Sequence, residues 1–144
     1  MFESFIEHEL KQMNISRTEP AQYSPLVLAY IGDVVYELYI RTMLVRQGNM
    51  PVHKLHKLAT RYVKAKAQSD IALRIEDKLT EEEHRILKRG RNAKSSTVPK
   101  NADIRDYRRA TGFEALLGYL YLKDEEKRLL ELLDLAVTAH EAER

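Results

Sequence analysis

The chain has 144 residues and a formal net charge of +2. That length suits one domain able to bury a core without covalent staples, so residues 1–144 are expected to form one unit with its core at about 24–133. The absence of cysteine excludes a disulfide framework, a zinc–thiolate site and a thiol nucleophile. No apolar run approaches the roughly 18 residues of a membrane span. The opening Met1-Phe2-Glu3-Ser4-Phe5-Ile6-Glu7 lacks the basic region of a signal peptide, so a cytoplasmic protein is expected.

In chain order the pattern is helical, with no convincing strand. Ser24 and Pro25 form a start signal, as cap and first helical residue. The spacing predicts a helix from there to about Gln47, stopped by Gly48. A second helix is expected from Pro51 or Val52 towards Asp77, with Leu55, Leu58, Ala59, Tyr62, Val63 and Ala67 at helical spacing. Thr80 and Glu83 make a capping box for a third, ending near Arg89-Gly90. Residues 91–101 are polar and basic and read as an exposed loop. A helix from about Asp103 to Leu122 follows. A last one runs from about Glu125 to Ala139, with Leu129, Leu132, Leu133 and Ala136 on one face. The fold class is all-α, with five to seven helices.

Two acids stand out. Asp33 lies in the otherwise apolar stretch from Leu26 to Ile40, and Glu114 in a similar one from Gly112 to Leu122. Both stretches read as buried helices. An ionised carboxylate buried without a partner is costly, so such groups are normally paired or bound to a metal. Gly32 and Gly118 would let the two backbones approach closely. Mg²⁺ prefers hard oxygen ligands and keeps several waters, so one or two carboxylates can hold it. Glu37, one turn after Asp33, is a candidate supplement. The structural alternative is that each acid is held by a lysine, arginine or tyrosine at a helix crossing.

The charge is unevenly spread. From Arg85 to Arg109 there are nine Lys/Arg and two Asp/Glu; from Lys123 to Arg144 there are four and seven. The basic block points to a polyanion-binding face. Lys88, Arg89, Arg91, Asn92, Lys94, Lys100 and Arg105 are its candidate phosphate contacts. Ser95, Ser96, Thr97 and Asn101 are candidate hydrogen-bond donors beside them. The plainer alternative is a solvated loop. His53 and His56, one turn apart without a third ligand, read as a helix face rather than a metal site. Tyr30, Tyr36, Tyr39, Tyr119 and Tyr121 read as packing residues.

Two segments carry a resemblance. The segment Tyr30-Ile31-Gly32-Asp33-Val34-Val35-Tyr36-Glu37-Leu38 resembles the signature helix of the ribonuclease III family. Phe113-Glu114-Ala115-Leu116-Leu117-Gly118-Tyr119-Leu120-Tyr121-Leu122 resembles its second acidic helix. The blocks at 64–68 and 89–101 are similar to those of its short bacterial branch, the Mini-ribonuclease III proteins. The likeness covers about Ser24 to Leu133.

It implies a homodimeric, all-α, Mg²⁺-dependent endonuclease that cuts double-stranded RNA to leave 5′-phosphate and 3′-hydroxyl ends. For the short branch it implies maturation of 23S ribosomal RNA precursors, with a large-subunit ribosomal protein shaping the substrate and no appended double-stranded-RNA-binding domain. Longer members carry further acids where this chain has Ala29 and Thr111. Only Asp33 and Glu114 therefore carry over as catalytic, metal-binding acids, with Glu37, Asp103 and Asp106 as candidate supplements. The competing readings are a non-catalytic double-stranded-RNA-binding protein assisting ribosome assembly, and a helical interaction module.

Overall fold

The computed structural model describes residues 2–13, 15, 18–94 and 98–142. Among these the elements are α1 (Phe2–Gln12), a 3-10 turn (Pro20–Gln22), α2 (Pro25–Gln47), α3 (Val52–Val63), α4 (Ala65–Ile75), a second 3-10 turn (Glu76–Lys78), α5 (Glu81–Asn92), α6 (Ile104–Leu122) and α7 (Glu126–Ala142). The described residues contain no strand, and no helix among them is long and apolar enough to cross a membrane.

Local chemistry sets most helix starts. The Ser24 hydroxyl accepts from the Val27 backbone N–H at 3.3 Å, with Pro25 at the first helical position. Thr80 and Glu83 form the reciprocal capping box, at 3.1 and 3.0 Å. The Asp103 carboxylate accepts from the backbone N–H groups of Arg105 and Asp106, at 2.8 and 3.2 Å, and so opens α6.

Helix α6 is the central element, packed by α2, α5, α4 and α7. It buries Phe113, Leu116, Leu117 and Leu120 against Leu28, Tyr36 and Ile40 of α2, Ile71 and Ile75 of α4, Ile86 and Leu87 of α5, and Leu132 and Leu133 of α7. The rings of Tyr36 and Phe113 meet edge-on, with centroids 5.1 Å apart. Two glycine pairs bring its neighbours to backbone contact. A Cβ on Gly32 would lie 1.7 Å from the Glu114 carbonyl oxygen, and one on Gly118 would lie 1.9 Å from that of Leu28. On the other side, a Cβ on Gly90 would lie 2.7 Å from the Gly112 Cα.

The structure corrects the sequence reading in two places. The single helix expected from about Val52 to Asp77 is broken at Lys64, which is extended at φ −63° and ψ 151°. A break leaves the last carbonyls of α3 without helical partners. Each is satisfied here. Thr60 O accepts from Lys64 N at 3.1 Å, Arg61 O from the His140 ring at 2.8 Å, Tyr62 O from the Tyr36 hydroxyl at 2.8 Å and Val63 O from Gln68 Nε2 at 2.7 Å. Three of these caps are side chains from α7, α2 and α4, so no local signal announces the break.

The second correction is that α2 is buried on one face only. Leu28, Ala29, Gly32, Tyr36, Ile40 and Leu44 face inward, whereas Tyr30 is 80 %, Val34 58 % and Leu38 46 % exposed. Tyr30 is therefore not a core residue. Asp33, placed in a buried stretch by its apolar neighbours, is exposed. Helices α6, α3 and α5 cover one side of α2 and leave the other exposed.

Candidate acidic site at the crossing of α2 and α6

Asp33 and Glu114 meet. Gly32 touches the backbone carbonyl of Glu114 itself, so the glycine that permits the crossing also sets the two acids side by side. The Asp33 carboxyl is close enough to act on that of Glu114. Asp33 stands at the open edge of the crossing, and Glu114 lies partly buried behind it. Burial raises the Glu114 carboxyl most. The hydrogen bond to Asp33 and the Asp33 charge raise it further, the Gln68 amide opposes them, and the Glu37 charge adds to the rise. The outcome is a carboxyl pushed up to about 9. In the absence of a cation, Glu114 therefore holds its proton at neutral pH.

The three candidate supplements are not gathered with this pair. Glu37 is close enough for its charge to act on Glu114, but its carboxylate holds Arg41 at 2.8 Å. Asp103 is the cap of α6. At a rise of about 1.5 Å per residue, Asp103 and Asp106 lie roughly 16 and 12 Å along the helix from Glu114. Among the described residues no three His, Cys, Asp or Glu side chains are grouped to hold a metal. Ala29 and Thr111, one turn before each acid, are both buried, and the Thr111 hydroxyl bonds back to Tyr107 O at 2.9 Å.

Sequence reasoning missed Gln68. Its amide donates to Val63 O at 2.7 Å and acts to lower the Glu114 carboxyl, and it is buried on α4 with Ala67, Ser69, Ile71, Ala72 and Ile75. A polar residue on an apolar helical face is the same signal that drew attention to Asp33.

The basic candidates divide. Lys88, Arg89 and Asn92, with Arg85 and Pro25, line an open cleft of about 360 Å³. Arg89 also donates to the carbonyls of Ala21 and Tyr23, at 3.5 and 3.3 Å, and Arg91 pairs with Glu76 at 3.6 Å, so both help to hold the fold. Lys94, Lys100, Asn101 and Arg105 are exposed. Asn101 takes φ 72°, a left-handed conformation that asparagine tolerates in a turn. Ser95, Ser96 and Thr97 lie outside the described residues.

Comparison with known proteins places these features in one family. The profile of the Ribonuclease III domain matches residues 26–125. Mini-ribonuclease 3 of Thermoanaerobacter sp. is 60 % identical over 79 % of this chain and 80 % of its own length. Mini-ribonuclease 3 of Clostridium tetani is 49 % identical over 96 % of this chain and 86 % of its own. The crystal structure of protein FN1578 from Fusobacterium nucleatum superposes with a TM-score of 0.76 at 32 % identity, covering 85 % of this chain and 98 % of that one. The match spans both acidic helices and the glycine crossing that joins them, and on it the chain belongs to the ribonuclease III domain family, in its Mini-ribonuclease 3 branch.

Proposed function

We propose that this chain is a Mg²⁺-dependent endoribonuclease that cuts double-stranded RNA at the Asp33–Glu114 pair, leaving 5′-phosphate and 3′-hydroxyl ends. The observation that carries the reading is the meeting of two acids from different helices at a glycine crossing, where burial and the facing Asp33 push the Glu114 carboxyl up and no cationic side chain offsets them. Two hard oxygen donors under mutual repulsion suit a divalent cation that keeps water and accepts substrate phosphate in its remaining positions. When bound, such an ion lowers the pKa of its water and polarises the phosphate. Asp33, at the open edge, offers its carboxylate directly. Glu114 gives up its proton when it becomes a ligand, so cation affinity rises with pH.

The basic surface supports a duplex substrate. The Arg85–Lys88–Asn92 cleft, together with Lys94, Lys100 and Arg105, supplies phosphate contacts, and binding is expected to weaken with salt. The exposed apolar band of Tyr30, Val34 and Leu38, continued by Leu26 and Val27, supports a homodimer seam along α2. The substrate we propose is the 23S ribosomal RNA precursor, processed in the cytoplasm by a single catalytic domain, with a large-subunit ribosomal protein shaping the RNA. Membership of the Mini-ribonuclease 3 branch supports this assignment.

The test is cleavage of a long RNA duplex and of precursor 23S RNA, with Mg²⁺ or chelator, by the native chain and by Asp33→Asn. Cutting that needs both Mg²⁺ and Asp33 is expected. Duplex binding without cutting of either RNA would favour the non-catalytic reading instead.

A further inference from the structure

Several cations of this chain are neutralised by a carboxylate. Arg41 pairs with Glu37, Lys66 with Asp70, Arg91 with Glu76, Lys123 with Glu82 and Arg128 with Glu83. The cleft between the start of α2 and the end of α5 is different. Pro25, Arg85, Lys88, Arg89 and Asn92 line its roughly 360 Å³, and no carboxylate is among them. The Arg89 guanidinium is held by the carbonyls of Ala21 and Tyr23, at 3.5 and 3.3 Å, which fix it without cancelling its charge. Arg85 and Lys88 are exposed, and neither is in an ion pair among the described residues. Glu82, one turn before Arg85, feels its charge but is held by Tyr119 and Lys123. Three positive charges thus line one concavity with nothing of opposite sign to meet them.

We propose that this cleft binds a terminal phosphate group, a phosphate monoester carried by an RNA strand end or by a free nucleotide. The proposal rests on, and refines, the reading of the cleft as a phosphate contact of an RNA-cutting enzyme. A phosphodiester within a strand carries one negative charge and continues in both directions. A monoester carries roughly two at neutral pH, with three oxygens to accept from several donors at once. Three cations and an amide suit the monoester better. A recess also favours a group that protrudes, whereas a duplex presents its backbone phosphates to any exposed cation, such as Lys94, Lys100 and Arg105. Arg89, preset by its two carbonyls, keeps further N–H groups for the phosphate, and Arg85 and Lys88 close on the remaining oxygens. Pro25 and Asp33 are eight residues apart, about 12 Å along α2. An end held at the cleft therefore lies near the acid pair and sets which phosphodiester reaches it.

The experiment measures binding in chelator at physiological ionic strength, where non-specific contacts are weakened. Its ligands are one RNA duplex with 5′-phosphate or 5′-hydroxyl ends, a closed dumbbell RNA without strand ends, and AMP against adenosine. The proteins are the native chain and an Arg85→Ala/Lys88→Ala variant, with thermal unfolding as the check on folding. The native chain is expected to bind the phosphate-bearing member of one or both pairs about 10-fold more tightly. The variant is expected to lose that preference while binding the dumbbell only modestly less well. A preference confined to duplex ends assigns the site to RNA, and one confined to AMP assigns it to a free nucleotide. No preference in either pair, or a preference that survives in the variant, overturns the proposal. An equal loss on the dumbbell and the phosphorylated duplex also overturns it, making the cleft a backbone contact and leaving the endonuclease reading standing. Cleavage of the RNAs in Mg²⁺ is scored beside these titrations. A native chain that prefers AMP to adenosine but neither binds nor cuts any of the RNAs keeps the site and overturns the endonuclease reading. Should the double variant not fold, Arg85→Gln/Lys88→Gln takes its place, and failure of both would make the cleft structural and overturn the proposal.

Discussion

Two glutamates on neighbouring helices, Glu83 and Glu114, meet opposite fates. Glu83 is 5 % exposed at the start of α5. Burial pushes its carboxyl up, but the Arg128 guanidinium, which bonds both its oxygens at 2.8 Å, and the Thr80 backbone N–H more than offset that, so it sits below the usual range. Arg128 continues to Lys78 O at 2.9 Å and stitches α5 and α7 to the turn before them. Glu114 faces a second carboxylate instead, and it is pushed up to about 9. The first arrangement is electrostatically complete and holds the fold. The second has a proton in place of a cationic partner, and under the proposed function a cation would take that proton's place.

The comparison can be broken in several ways. The largest effect is expected from Asp33→Asn, which should fold and bind duplex but lose cleavage by more than about 100-fold, beyond what loss of an outer partner costs; a gel assay in Mg²⁺ checks this. Next is Gly32→Ala, whose methyl group would fall on the Glu114 carbonyl and force α2 and α6 apart. A loss of about 3 kcal/mol or more is expected by denaturant titration, with the acid pair separated as well. Removing one partner of the complete pair, as in Glu83→Gln, should cost about 3 kcal/mol by the same measurement. Little loss there would mean that Arg128 finds other acceptors.

Glu114→Gln should behave in the opposite sense. In the native fold without cation, Glu114 binds a proton up to about pH 9, whereas the unfolded chain releases it near the ordinary value of 4.5. The stability this proton gives is therefore fully present below about pH 4.5 and is lost as pH rises towards 9. Thermal melts in chelator between pH 5 and 9 should show native stability declining and Glu114→Gln flatter. Divalent cation should reverse the native trend, because binding releases the same proton. The smallest effect is expected at the basic face. Lys88→Ala should weaken duplex binding modestly and lower its salt slope by about 1, without changing metal dependence.

Legibility followed the range of the forces involved. The Ser24-Pro25 start, the Thr80–Glu83 capping box and the last-helix face of Leu129, Leu132, Leu133 and Ala136 are local, and each was readable from adjacent residues. The two acids and the two glycines were readable as anomalies in apolar runs. The break at Lys64 was not, because the caps that make it tolerable come from Tyr36, Gln68 and His140, far apart in the chain. Gln68 itself passed unassigned, since its bond to Val63 O has meaning only once the break between α3 and α4 is known. The exposure of Tyr30, Val34 and Leu38 was hidden for a related reason: an evenly apolar helix does not say which of its faces the rest of the chain will cover.

By itself, then, the sequence determined most helix starts and the two acids of the candidate site, because capping and periodicity act within a few residues. The tertiary structure alone decided that Asp33 and Glu114 meet, that burial beside Asp33 pushes the Glu114 carboxyl up, and which acids stay apart from them. Those outcomes depend on where two glycines let α2 and α6 cross, a contact between residues about 80 positions apart in the chain that only the packed core fixes.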